Sequence, residues 1–143
     1  MEVNFERPQL MRGHLAFGPD GLLYVGVGSG AADEVNGPLR AALRGSVLRL
    51  NIDEPDAQCR TLYRIPDTNP FASSACDAET PDRAELWAWG ISAPHHISFD
   101  QINNALWVTD QRLDGVQEVN RVVGRGDYNE LPPVYEHRSL GAD

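Results

Sequence analysis

Apolar and polar positions alternate along this chain in short runs rather than long helical stripes. The run from Gly13 to Phe17 reads GHLAF, breaks at Gly18-Pro19-Asp20-Gly21 and resumes as Leu22 to Val27. A second such passage, HHISFDQINNALWVTD, runs from His95 to Asp110. Set in register, His14-Leu15-Ala16-Phe17 matches His96-Ile97-Ser98-Phe99, and Leu23-Tyr24-Val25 matches Leu106-Trp107-Val108. The breaks, Gly-Pro-Asp-Gly and Gln101-Ile102-Asn103-Asn104, are tight-turn material. Each passage therefore predicts a β-hairpin, and the pair predicts a repeat.

A third strand is expected after each hairpin. In GSVLRLNID (Gly45 to Asp53) Val47 and Leu48 point inward while Arg49 and Asn51 point outward; VQEVNRVV (Val116 to Val123) plays the same part in the second copy. ELWAWG (Glu85 to Gly90) supplies a fourth, outer strand to the first unit after a long excursion from Glu54 to Ala84, and VYEHRS is the candidate fourth strand of the second. Helical signal is confined to a turn over GPLRAALRG, Gly37 to Gly45, which ends at a glycine. Thirteen glycines, ten prolines and short strands argue for an all-β fold. Repeated four-stranded antiparallel units are the blades of a β-propeller. The chain reads as a single partial propeller domain over residues 1–143. Its first blade covers 10–90 with the long insertion 54–84, and a second, incomplete blade covers 95–135. About two blades leave sheet faces and edges open, which predicts poor solubility and either self-association or the remaining blades of the same ring as partners.

Length allows one domain with a real core. The net charge of −9 repels phosphate backbones and sets nucleic acid aside, leaving metal ions, basic partners or neutral ligands such as sugars. All twelve basic residues are arginine, so no lysine of this chain forms a Schiff base. No apolar run reaches the ~18 residues of a membrane span. The start MEVNFERPQL lacks the basic-then-apolar order of a signal peptide. The chain is therefore cytoplasmic if complete, or else an internal piece of a longer, exported one. Cys59 and Cys76 flank TLYRIPDTNPFASSA and are either bridged, which pins that loop, or two separate thiols. No C-x-x-C metal spacing occurs.

Five phrases, GHLAFGPDGLLYVGVG, LRGSVLRLNID, YRIPDTNPF, ELWAWG and QEVNRVVGRGDYN, follow one another from about Gln9 to Asn129. In order and spacing they resemble the soluble quinoprotein glucose, aldose and sorbosone dehydrogenases, including their hedgehog-interacting relatives. The resemblance implies a propeller of six blades. It implies pyrroloquinoline quinone (PQQ) on the top face with calcium beside it. It also implies oxidation of an aldose at C1 to the lactone, with a histidine as base, in a periplasmic or secreted protein. Small sugars, or a protein or glycan in the hedgehog-interacting relatives, are the implied ligands.

The same resemblance implies that the chemistry has eroded. The family's base histidine falls on Leu10, which cannot accept a proton. His14 lies in the following strand and reads as structural. The family's G-x-R-N-P, whose arginine and asparagine face the cofactor, is here Gly90-Ile91-Ser92-Ala93-Pro94. A quinone carboxylate buried without its cation costs several kcal/mol. His95 and His96 point to opposite faces of a strand and cannot chelate one metal, although one of them can reach the top face. The calcium loop corresponds to TDQRLDGVQEVN, in which Asp110, Asp114 and Glu118 are the candidate oxygen ligands, with solvated loop carboxylates as the alternative. Arg112 stands where a glycine lets the backbone approach that ion, and Ser29 stands where the family prefers aspartate. The ending DYNELP replaces N-Y-G-W-P. The resulting expectation is a segment of a sugar dehydrogenase-like propeller that is not catalytically competent by itself. The alternative is a non-catalytic propeller that binds a protein or glycan.

Overall fold

The computed structural model describes residues 12–29, 43–74, 76, 83–111, 115–122 and 135–140. Eight strands form: β1 (Gly13–Phe17), β2 (Leu23–Val27), β3 (Ser46–Leu50), β4 (Leu86–Trp89), β5 (Pro94–Phe99), β6 (Leu106–Gln111), β7 (Gln117–Val122) and β8 (Tyr135–Leu140). They make two separate antiparallel sheets, ordered β1-β2-β3-β4 and β5-β6-β7-β8. The fold is all-β, and the repeat seen in the sequence is one four-stranded unit made twice. The candidate VYEHRS falls largely on β8, which pairs with the whole of β7. The helical turn expected over Gly37–Gly45 lies, apart from Leu43–Gly45, outside the described residues.

The two hairpins are equivalent in register. Phe17 pairs with Leu23 and Phe99 with Leu106; Leu15 pairs with Val25 and Ile97 with Val108. Both turns are closed by side chains. Asp20 Oδ1 accepts the Leu22 amide in the first turn, and Asp100 Oδ1 accepts the Ile102 amide in the second. Each turn also needs one left-handed residue: Gly21 (φ 77°) supplies it in the first and Asn104 (φ 59°) in the second.

The sheets pack face to face. Ile97, Leu106, Val108 and Val122 of the second sheet meet Tyr24, Val47 and Ala88 of the first, with Ile91 from the connection between them. At the seam Gly26 lies against Pro94; a Cβ there would stand 3.1 Å from Pro94 Cβ and 3.2 Å from Cγ. Gly26→Val should wedge the sheets apart and cost about 2 kcal/mol, read as a lower urea midpoint with an unchanged m-value.

β3 is buried along its whole length. One face meets the second sheet. The other face carries Leu48, which packs with Val27, Leu43 and Leu86 beneath Phe71 of the excursion. The expectation that Arg49 points out to solvent is therefore corrected: Arg49 is 8% exposed. Its Nε and Nη2 donate to Asp20 Oδ2 at 2.9 and 2.8 Å, and its Nη1 donates to Thr68 and Asn69 at 2.7 and 3.2 Å. Its guanidinium also lies 4.5 Å over the Trp87 ring. A buried arginine survives only when its donors are matched, and here every edge of the fork is used.

This lock accounts for the YRIPDTNPF phrase. Thr68 and Asn69 grip Arg49, Asn69 Nδ2 donates to the Arg49 and Ala84 carbonyls at 2.9 Å each, and Phe71 stacks on Trp89 at 5.4 Å. The excursion is thereby fastened to the sheet it covers. Tyr63 adds a hydrogen bond to Glu85 at 3.0 Å. Burial and then the neighbouring Glu85 charge push the Tyr63 hydroxyl up to about 12. Cys59 and Cys76 are bridged, with Cα atoms 4.9 Å apart, so the bridge is the alternative that holds.

Candidate functional site

The connection between the sheets, Gly90 to Pro94, occupies the place where the resemblance puts the cofactor's ligands. Gly90 (φ 88°) turns the chain, and the Gly90 and Ile91 amides both donate to the Gly45 carbonyl, at 2.9 and 3.0 Å. Ser29 donates from its amide to the Ser92 carbonyl at 2.7 Å. Ser92 and Ala93 in turn donate their amides to the two carboxylate oxygens of Asp110, the Ser92 bond measuring 2.9 Å. Asp110 is 4% exposed and Ala93 is fully buried. Asp110 is thus a clamp: one carboxylate on β6 holds the incoming connection by two backbone donors. The sequence marks Asp110 as important, but it cannot show that its partners lie in the connection.

Two of the three histidines of this end are held by hydrogen bonds to their rings. Arg12 Nη1 meets His95 Nδ1 at 3.0 Å, and His95 Nε2 meets Gln111 Oε1 at 3.2 Å. A guanidinium only donates, so Nδ1 accepts and the His95 proton sits on Nε2, facing Gln111. The His14 Nδ1 likewise accepts the Ile97 amide at 3.3 Å, which puts its proton on Nε2. Neither ring has a lone pair left for a metal or a substrate proton. His14 also stacks on exposed His96, with ring centroids 4.9 Å apart. Sequence reasoning missed Arg12 and Gln111, which lie far apart in the chain and meet only through His95.

Of the three candidate calcium ligands, Asp110 and Glu118 stand directly opposite each other across β6 and β7. They border a cleft of about 250 Å³ together with His95, His96 and Thr109. Asp114, like Leu10 and Arg112, lies outside the described residues. Among the described residues one group brings three potential metal-ligand atoms within 4.8 Å, namely Asp56, Cys59 and Cys76, and its two sulfurs are bonded to each other.

The lining decides the fit of the implied groups. Two carboxylates rim the cleft, the Ser92 and Ala93 amides are spent on Asp110, and Arg12 is spent on His95. Among the described residues such a surface supplies no unspent cation for a cofactor bearing three carboxylates. A hard cation suits the oxygens, and the carboxylate oxygens of Asp110 retain a second lone pair each.

A larger cleft of about 610 Å³ lies at the opposite end of the seam, between Tyr24, Trp87, Phe99 and Arg121. Its polar walls Asp20 and Arg49 are spent on each other and on the excursion. Burial pushes the Asp20 carboxyl upward, but hydrogen bonds from Arg49, the Leu22 amide and Tyr24 outweigh it and hold the group below its ordinary value of 3.8.

Residues 2–135 match the family model described as Glucose / Sorbosone dehydrogenase. The chain is 34% identical over 139 residues to the HIPL1 protein of Arabidopsis thaliana, covering 90% of this chain and 19% of that protein. It is 35% identical over 139 residues to the human Hedgehog-interacting protein, with 88% and 19% covered. It thus spans about a fifth of the length of these curated relatives. A crystal structure of an oxidoreductase described as a glucose dehydrogenase, from Thermus thermophilus, superposes with a TM-score of 0.63 at 26% identity, covering 94% of this chain and 40% of that one. No helix among the described residues is long and apolar enough to cross a membrane.

Proposed function

The chain belongs to the glucose/sorbosone dehydrogenase family, and from that premise we propose that it is a two-blade segment of a sugar dehydrogenase-like propeller that binds a protein or glycan rather than oxidising a sugar. The observation that carries this is the Asp110 clamp. At the place where the resemblance requires a cation and an amide for a quinone, this chain presents serine, alanine and an acidic rim. The His14 and His95 rings nearby are spent as well, which leaves exposed His96 as the one histidine of this end with no ring hydrogen bond among the described residues. The name of the human relative points to a protein partner for that protein, and a partner of the same kind is assigned to the 90–94 end of this chain. The Cys59–Cys76 bridge suits an oxidising compartment, periplasmic or extracellular.

Asp110, Asp114 and Glu118 remain the residues that would hold calcium. Its role would be to order the loop after β6, measured as a rise in unfolding temperature on adding calcium alone.

The competing reading, quinone-dependent oxidation of an aldose, is favoured by the description of the Thermus structure. One assay separates the two. The purified chain is supplied with PQQ and calcium, then with glucose or another aldose and a dye acceptor. The expected result is dye reduction no faster than in the protein-free control. Reduction at ordinary enzyme rates overturns the binding reading.

A further inference from the structure

The turn that carries Cys59 and the segment that leads to Cys76 are each held by bonds other than the disulfide. Asp56 and Thr61 pair antiparallel, each amide donating to the other's carbonyl, at 3.0 and 3.1 Å. Arg60 takes the left-handed conformation (φ 56°) that closes this turn. Asp56 Oδ1 accepts the Gln58 and Cys59 amides at 2.9 and 3.0 Å. On the other side, Asn69 and Phe71 are fastened to Arg49 and Trp89, and one 3-10 turn, Ala72–Ser74, leads toward Cys76. The two cysteines therefore stay neighbours when the bond between them is cut. The Asp56 carboxylate stands beside them: one of its oxygens and both sulfurs lie within 4.8 Å of one another. Cys76 is exposed and Cys59 half-buried, so a reductant can reach the bridge.

We propose that Asp56, Cys59 and Cys76 form a redox-gated zinc site, closed while the cysteines are bridged and open to Zn2+ once a dithiol reduces them. The chemistry balances. The dithiol attacks the bridge by thiol–disulfide exchange, gives up two electrons and two protons, becomes a disulfide itself and leaves Cys59 and Cys76 as thiols. Zn2+ then displaces the two thiol protons to solvent and takes both thiolate sulfurs and the Asp56 carboxylate as ligands. Two thiolates select zinc over the calcium or magnesium that carboxylates alone favour. Sulfurs on one tetrahedral zinc stand about 3.8 Å apart, at a Zn–S distance of about 2.3 Å. Side-chain rotation supplies that separation from Cα atoms 4.9 Å apart. The two amides on Asp56 Oδ1 orient the carboxylate, as supporting hydrogen bonds do for metal ligands. Three protein ligands leave the fourth tetrahedral position for water. The metal replaces the bridge as cross-link, so the excursion stays clipped in both redox states. The site lies on the excursion and depends neither on the binding reading above nor on Asp110, Asp114 and Glu118.

The test reduces the whole chain with a phosphine under argon, removes the reductant and titrates with Co2+, a coloured stand-in for zinc, and then with Zn2+. The expected result is a thiolate-to-cobalt charge-transfer absorption that saturates at one ion per chain, is bleached by Zn2+ and is absent from the oxidised chain. Zinc should release two protons per ion to a pH dye. Cys59→Ser should lose the saturable absorption. Asp56→Asn should keep it but weaken cobalt binding about tenfold or more, since losing a ligand costs at least what losing a ligand's support does. The urea midpoint of the reduced chain should rise on adding Zn2+ toward that of the oxidised chain. A reduced chain that keeps its strand circular dichroism and binds no cobalt overturns the proposal. Equal cobalt affinity in Asp56→Asn and the wild type overturns the three-ligand site. Loss of the strand signal on reduction overturns it as well, because the site needs the excursion to stay in place without the bond.

Discussion

Arg49→Met is expected to lower the unfolding free energy by about 2 to 3 kcal/mol, because it removes the buried guanidinium that Thr68 and Asn69 grip, while the Asp20 carboxylate it leaves is partly exposed and regains water. For a chain of 143 residues that is a fall of about 10 °C in unfolding midpoint. Methionine keeps most of the aliphatic stem, so packing over Trp87 is largely retained and the loss reports the guanidinium. Asp20, Thr68 and Asn69 each lose a partner. The excursion should loosen first, seen as faster proteolysis between Glu54 and Ala84 at temperatures where the strands stay protected. The pH dependence follows from Asp20. Its carboxyl is held below 3.8 in the folded chain. It therefore binds fewer protons folded than unfolded, and its contribution is present above that value and fades as pH falls through the lower folded value. The wild type should lose stability on acidification below pH ~4, and the gap between wild type and Arg49→Met should narrow there. A gap that is constant across that range would mean that the Asp20–Arg49 pair contributes nothing.

The second large effect belongs to Asp110→Ala. Two amides, Ser92 and Ala93, lose their acceptors, and Ala93 has no water to turn to. Leaving such donors unmatched costs about 2 to 4 kcal/mol in all. Amide exchange should rise at Ser92 and Ala93 before it rises in the strands. Asp110→Asn should lie between the two, since its amide keeps one acceptor oxygen and turns a donor toward the other N–H. The decisive comparison is with and without calcium. If Asp110 acts as a clamp on the connection, its loss is the same in chelator and in calcium. A deficit confined to calcium-containing buffer would make it first of all a metal ligand.

The hairpins are legible in the sequence because they depend on near neighbours. Gly21 and Asn104 take the left-handed turn conformation, and Asp20 and Asp100 close the turns by bonds to residues two places on. Such interactions are written locally, as is the alternation that sets each register. β8 is harder to read because Val134 to Ser139 offers little apolar alternation of its own; its position comes from pairing along β7. Arg49 misleads for a related reason. An arginine in an alternating strand ordinarily marks the solvent side, and only the return of Thr68 and Asn69 from the excursion buries it. The erosion at Leu10 and Arg112 falls outside the described residues, whereas that at Ser92 and Ala93 is visible as geometry.

By itself the sequence determined the all-β repeat, the two turns, the third and fourth strands of the first unit and the family, since each is carried by local spacing or by phrases in order. Tertiary structure alone decided what the polar groups do: that Asp110 clamps the connection, that Arg49 is buried, that His14 and His95 are spent, that the cysteines are joined. Those outcomes depend on which distant groups arrive within bonding distance, at sequence separations from 16 to 83 residues. A one-dimensional pattern carries no distance of that kind, because a hydrogen bond is made or lost within a few tenths of an ångström.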